Sequence, residues 1–459
     1  MNTFVEKLFA GFWNRFASRH CHRPSRHGLR LGFRVRDDDP TRDEVEITQT
    51  KRPEHLAILG KTGRGKSSLI RYLSRQDVDA GRGFTYFDLH GDATPFLLGS
   101  IAAAERRAGC DLSDKLIVIE PADPTYSVGL NPLEGAGGGR SFVQISEFAE
   151  ILKRRWHLES FGARTDELLR NSLCALADNE LTLLEIAPFL SHAEFRASCL
   201  KRITNAEIRQ YFELRYDPLS EPMRAVMREP ILNKTSAFTA DPHFRHIVGQ
   251  RKSTFSWLDA LDQGRWVLLN LHKGRLGEQA ATLGSLFLAV LKNALFARKS
   301  HELYTLYCDE IQNLVAYGSG LDTVLSEARK FSVSVTSANQ FLDQYPPEMR
   351  SAILAVGTHI FFQLSSADAQ LVSMALDGGR PLAELLKNLP QRHLVVKSGS
   401  ERWKEVLVPA VHDPQASYQN LYERCRRRWG RKRDEVEQEI AARQAIVGRS
   451  REEALHDWE

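Results

Sequence analysis

The chain has 459 residues, 42% of them hydrophobic, with 62 Lys and Arg against 58 Asp and Glu and a net charge of +4. That length predicts two or three domains with ample apolar material for a core, and the near-balance of charge confines any nucleic-acid contact to local basic patches. The 6 Cys have no C-x-x-C spacing, which excludes a zinc or disulfide framework and favours reduced thiols in a cytoplasm, and no apolar run approaches the roughly 18 residues of a membrane span.

At the start, Phe4, Val5, Leu8, Phe9, Phe12, Trp13 and Phe16 share one face of a predicted helix. Lys7, Arg15 and Arg19 interrupt any secretory signal core, and Glu6 speaks against an organellar leader. The segment RFASRHCHRPSRHGLRLGFRVR at 15–36 carries seven Arg and no acid. Three fates fit this end: an anionic membrane surface, a partner protein, or packing on the body of the fold.

The stretch LAILGKTGRGKSSLI, residues 56–70, reads as a buried strand, a glycine-rich turn and the start of a helix. Gly60, Gly65, Lys66 and Ser67 fit the spacing G-x-x-x-x-G-K-[ST]. Glycines let backbone N–H groups turn inward around phosphates, and the helix N-terminus adds partial positive charge. Gly60, Lys61, Thr62, Gly63, Arg64, Gly65, Lys66, Ser67 and Ser68 are therefore the expected ATP-binding residues. Lys66 would reach the β- and γ-phosphates, and Ser67 would ligate Mg²⁺.

Further strands are predicted at 84–88, 115–119, 266–271, 303–308, 332–338, 359–364 and 393–397, most of them separated by helical patterns. That alternation predicts a mostly parallel α/β sheet. Between 142 and 245 no strand is expected. Phe142–Trp156, Asp166–Ala177, Leu181–Leu190 and Ile208–Arg215 have helical apolar spacing, and the glycines of EGAGGGR at 134–140 form a natural hinge before them.

In LYTLYCDEIQNL, residues 303–314, Asp309 and Glu310 end an apolar strand. Ligands of open α/β sheets bind at that edge. Asp309 would hold Mg²⁺ through water, and Glu310 would orient and polarise the attacking water. Near the C-terminus Arg424, Arg426, Arg427, Arg428, Arg431, Lys432 and Arg433 crowd one segment, followed by a charged helix at about 432–446. This segment is read either as a solvated basic helix or as a phosphate-contacting one.

Several stretches resemble the HerA–FtsK superfamily of ring-shaped DNA-pumping ATPases, most closely its TraG/TraD-type coupling proteins of type IV secretion and conjugation. They are LAILGKTGRGKSSLI, GFTYFDLHGD (83–92), GLNPLEG (129–135), LNKTSAF (232–238), YCDEIQNL (307–314), SEARKFSVSVTSANQFLDQ (326–344) and YERCRRRWGRKRDEVEQEI (422–440). The resemblance implies two more site residues. Arg329, in EARKF, takes the place of an arginine that reaches into a neighbouring subunit's nucleotide. Gln340, in SANQ, takes the place of a glutamine that senses the γ-phosphate. It also implies that Asp88 is an acid near the Mg²⁺ and His90 a structural residue. Two departures are plain: this sequence shows no paired transmembrane helices, and residues 1–54 are short and basic for the small β-barrel that opens HerA-type pumps.

The expected fold is thus an α/β, RecA-like P-loop ATPase domain with a mostly parallel sheet and an all-helical insertion. Residues 1–54 would form a basic segment with the amphipathic helix, 55–141 and 246–412 the ATPase domain, 142–245 the insertion and 413–459 a basic helical tail. The expected function is ATP-driven, sequence-independent translocation or pumping of DNA by a homohexameric ring, with ATP and Mg²⁺ as cofactors. Catalysis would fall to Glu310, Arg329 and Gln340, and metal binding to Ser67 and Asp309. Two alternatives stand beside it: a HerA-like translocase working with a separate nuclease, and a secretion ATPase moving protein or protein–DNA through a membrane channel. The expected location is the cytoplasm, including the inner face of the membrane, without an integral membrane segment.

Overall fold

The computed structural model describes residues 28–37, 39–134, 142–155, 158–315, 321–345 and 347–456. The amphipathic helix expected before residue 28 and most of the glycine hinge lie outside the described residues. In chain order the strands are β1 Leu29–Arg36, β2 Asp39–Ile47, β3 Leu56–Leu59, β4 Phe84–Asp88, β5 Leu116–Ile119, β6 Tyr126–Ser127 and β7 Trp266–Asn270. They continue as β8 Tyr304–Asp309, β9 Val333–Asn339, β10 Thr358–Phe361, β11 His393–Ser398, β12 Lys404–Leu407 and β13 Arg431–Lys432.

Eleven strands form one sheet in the order β2-β1-β12-β11-β10-β3-β9-β8-β4-β7-β5. From β10 to β5 every pairing is parallel. From β10 outward to β2 every pairing is antiparallel. Side chains alternate between two apolar faces, as a sheet covered on both sides requires. Phe84, Tyr86, Leu116, Val118, Trp266 and Leu268 pack with the helices Lys66–Asp79 and Ala93–Ala108. Phe87, Ile117, Ile119, Val267 and Leu269 face the helix Gln279–Phe296 and the helical stretch beyond it. Among the described residues between 142 and 262 there is no strand, and the apolar cluster there is continuous with that second face of the sheet.

Residues 29–47 depart from the expected basic segment. In LRLGFRVR, Leu29, Leu31 and Val35 are buried while Arg30 and Arg36 point outward, so the segment joins the sheet as an edge hairpin. The apolar run also departs from expectation. Gln279–Phe296 is 18 residues long with a mean hydropathy of 1.3, long and apolar enough to cross a membrane, yet 67% of it is buried inside this fold.

The basic tail is tied to the body by ion pairs, while Arg427 and Lys432 stay exposed. Arg424 pairs with Glu105 at 2.6 Å, Arg426 with Asp123 at 3.2 Å and Arg428 with Asp114 at 2.8 Å. Arg431 pairs with Glu439 at 2.7 Å, and the short strand β13 pairs with β6. The helix Arg433–His456 then buries Val436 and Ile440, and its Arg443 meets the buried Glu185 at 3.0 Å. Ion pairing and burial clamp this end to the body.

Candidate nucleotide site

The turn after β3 is built for close approach. Gly65 has a φ of 113°, open only to glycine without strain, and a Cβ on Gly60 would stand 2.6 Å from the Phe362 Cβ. The helix Lys66–Asp79 then starts with its N-terminus facing the turn. Lys66 is buried, and its Nζ donates to Gly60 O at 2.6 Å and Lys61 O at 3.0 Å. Burial lowers its pKa, and the Asp309 and Glu310 charges oppose that shift.

A cavity of about 480 Å³ opens here at the C-terminal ends of β3, β8 and β9. It brings Thr62, Gly63, Gly65, Lys66, Ser67 and Ser68 together with Asp309, Glu310 and Gln340. Arg64 does not line it, and neither does Arg329. Ser67 lies beside Asp309 and lowers its pKa, but burial raises it more. A hydroxyl beside a carboxylate is a hard oxygen donor set, and the Lys66 ammonium with the turn's N–H groups is an anion cradle. These residues fit Mg²⁺ and a nucleotide phosphate chain.

Glu310 has a φ of 55°, a left-handed conformation that costs a residue of its kind of order 1–3 kcal/mol and recurs at functional sites. Its carboxylate is held from several sides. Asn313 Nδ2 donates to Oε2 at 3.0 Å, Gln340 Nε2 to Oε1 at 3.4 Å, and Lys273 Nζ stands 3.6 Å away. His90 Nε2 lies 3.3 Å from Oε1. The His90 hydrogen bond is the chief cause that brings Glu310 down to about 2, and it raises the His90 pKa in turn. Gln340 also accepts from the Thr62 hydroxyl at 3.0 Å, so it bridges the phosphate loop and the acid.

One expectation drawn from the resemblance needs correction. His90 is not purely structural, since it lines the cavity and pairs with Glu310. The Asp88 carboxylate accepts from Gly91 N, Thr94 N and Thr94 Oγ1, each at 2.7 Å, and so caps the helix Ala93–Ala108. Sequence reasoning passed over Lys273 and Asn313. Lys273 had no signal, and Asn313 had only its i+3 spacing from Glu310.

Arg329 sits in the short turn Ala328–Phe331 that precedes β9, at the opposite edge of the sheet. Its side chain is 65% exposed, and its partner is Glu54 at 3.2 Å. Just beneath lies a closed ionic network. Arg52 meets Asp77 with two bonds at 2.9 and 2.6 Å, Arg82 reaches the same carboxylate at 2.7 Å, and the Tyr307 hydroxyl donates to it at 2.7 Å. Burial would raise the Asp77 pKa, but the Arg52 charge and the hydrogen bonds prevail and hold it low.

Comparison with known proteins agrees with this geometry. Residues 50–136 match the model of the HerA helicase central domain. The DNA double-strand break repair helicase HerA of Sulfolobus acidocaldarius is 31% identical over 112 residues, which are 24% of this chain and 17% of that relative's length. The plasmid coupling protein TrwB, solved with a GTP analogue, superposes with a TM-score of 0.62 at 18% identity, covering 88% of this chain and 94% of that one. TrwB with ADP and Mg²⁺ gives 0.59 at 17% identity, covering 88% and 93%. VirB4 of Thermoanaerobacter pseudethanolicus gives 0.58 at 16% identity, covering 87% and 99%. At these identities the structural likeness is one of fold. Around the phosphate loop the sequence is similar to the HerA central domain, and across the chain the fold is that of a RecA-like P-loop protein, similar to TrwB and VirB4.

Proposed function

We propose that the chain is an ATP-hydrolysing subunit of a homohexameric ring that drives DNA along without regard to base sequence. The observation that carries this reading is the separation of two half-sites. Lys66, Ser67, Asp309 and Glu310 share one cavity, while Arg329 stands at the far edge of the sheet. The seven residues of β9 between them span about 23 Å at roughly 3.3 Å per residue. An arginine side chain does not cross that distance to its own cavity. Exposed as it is, it can meet a phosphate in a neighbouring chain, and a head-to-tail contact repeated with a closing rotation makes a ring.

Bound ATP with Mg²⁺ would supply the bond to be cleaved. The chain's own groups divide the remaining work. Lys66 and the turn N–H groups hold phosphate, Ser67 and Asp309 hold the metal, and Glu310 orients water with Gln340 hydrogen-bonded to it. Arg329 from the neighbour would meet charge that develops in the transition state. DNA as the substrate is supported by relatives described as a DNA repair helicase and a plasmid coupling protein. The fold shared with VirB4 supports a second reading, a secretion ATPase moving protein or protein–DNA. Either role places the chain in the cytoplasm, meeting a nuclease or, at the inner membrane face, a channel.

The test is the steady-state ATPase rate with and without single- and double-stranded DNA of random sequence, at several salt concentrations, beside a mass measurement. The expected result is a sixfold multiple of 52.0 kDa whose turnover rises with any DNA and whose DNA affinity falls with salt. A monomer whose turnover ignores DNA contradicts it.

A further inference from the structure

The cavity extends beyond what a phosphate chain fills. Past Ser68 its wall is Phe362 with the segment Val408, Pro409, Ala410 and Val411, and Arg392 lines the same space. Three observations single out Arg392. The first is place. β11 runs antiparallel to β10, and β10 runs parallel to β3, so the residue just before β11 stands at the edge where the phosphate loop begins. The second is backbone conformation. Seven non-glycine residues among those described have positive φ, and Glu310 and Arg392, with φ of 55° and 66°, are the two that line this cavity. A long side chain gains nothing locally from the left-handed region, where glycine sits freely. The third is availability. The Arg392 carbonyl accepts from Val408 N at 3.0 Å, which fixes its backbone, while its guanidinium has no hydrogen bond or ion pair among the described residues.

We propose that Arg392, with the Pro409–Val411 wall, binds the nucleoside end of the nucleotide, the planar guanidinium lying against the base. This rests on the nucleotide reading above. Lys66 and the helix N-terminus fix the phosphates at the other end, so ribose and base must run away from them along the cavity. An apolar wall facing a flat, weakly hydrated cation is complementary to a flat aromatic base. Such a contact holds ground state and transition state alike, so its loss weakens affinity and spares turnover.

The test measures ATP, ADP and inorganic tripolyphosphate as competitors of a fluorescent ATP analogue on the full chain. The proteins are wild type, Arg392→Ala, Arg392→Gly and Lys66→Ala. Both Arg392 variants should bind ATP and ADP roughly tenfold more weakly, the scale of a partly desolvated cation–π contact, with tripolyphosphate affinity unchanged. Their kcat should stay within about twofold of wild type. Arg392→Gly releases the backbone conformation and should melt at or above wild type, which separates lost binding from lost folding. Lys66→Ala should weaken all three competitors. Unchanged ATP affinity in the Arg392 variants overturns the proposal, and so does an equal loss for tripolyphosphate. A wild type that binds neither ATP nor tripolyphosphate removes the nucleotide reading and this proposal with it. ATP binding in wild type with silent Arg392 variants removes this proposal alone.

Discussion

The two edges of the parallel sheet handle charge in opposite ways. At the C-terminal edge Glu310 is half-buried, held in a left-handed backbone and gripped by three side chains besides Gln340, and the cavity in front of it is open. At the N-terminal edge Asp77 and Arg52 are both fully buried, and each oxygen of Asp77 is bonded. The first arrangement keeps reactive groups poised and strained; the second spends every bond on holding elements together. Asp77 lies in the last turn of the phosphate-loop helix, Arg52 in the turn before β3, and Tyr307 on the strand that ends at Asp309. A closed network thus ties the elements that carry the site, at the end of the sheet away from the chain's own cavity.

Charge-neutral amide substitutions should break this comparison cleanly. Glu310→Gln should lower kcat about 10²- to 10⁴-fold with nucleotide binding and melting temperature preserved, read from steady-state turnover and nucleotide titration. Undiminished turnover would remove Glu310 from the chemistry. Asp77→Asn should do the reverse. It leaves the Arg52 charge buried without its counterion, a loss of about 3–5 kcal/mol by denaturant unfolding. Whatever Asp77→Asn protein remains folded should bind nucleotide normally.

A smaller effect sharpens the same contrast by pH. His55, beside Arg329, is buried, and its Nδ1 accepts from Val335 N at 3.0 Å. Burial, with the Arg329 charge, lowers its pKa from 6.5 to about 4. A histidine held neutral in the fold takes up its proton more readily once unfolded. Its contribution is therefore complete above pH 6.5 and is lost as pH falls toward about 4. Chemical unfolding across that window should show stability declining in wild type and a flatter profile in His55→Gln. Equal slopes would contradict the assignment.

Much of this contrast could be read in the sequence at the C-terminal edge and little at the other. The spacing of Gly60, Gly65, Lys66 and Ser67, and the acidic pair closing an apolar strand, are local signals, and the structure brings Gly65, Lys66, Ser67, Asp309 and Glu310 into one cavity. Strand positions followed from apolar runs, as at Phe84–Asp88. The hairpin at 29–47 was hidden because its arginines were counted as a charge run, although Leu29, Leu31, Phe33 and Val35 alternate with period two. The Arg52–Asp77 network joins residues 25 positions apart, and Arg392 joins the cavity only because β11 turns back along β10. Pairings of that kind depend on which strands become neighbours, and no local pattern encodes them. The tail arginines show the converse: their density left a solvated and a phosphate-contacting helix open, and the body supplies Glu105, Asp114 and Asp123 opposite three of them.

The central claim is that each cavity is completed by the Arg329 of a neighbour, and mixed rings test it most directly. Arg329→Ala subunits are deficient only toward a neighbour's cavity, and Glu310→Gln subunits only in their own. Where a Glu310→Gln subunit presents its arginine to an Arg329→Ala subunit, that interface holds one complete site. Differently tagged mutants, co-purified to establish that mixed rings form, should therefore regain ATPase activity that neither mutant has alone. Co-purified mixed rings whose activity stays at the level of the separate mutants would contradict the account.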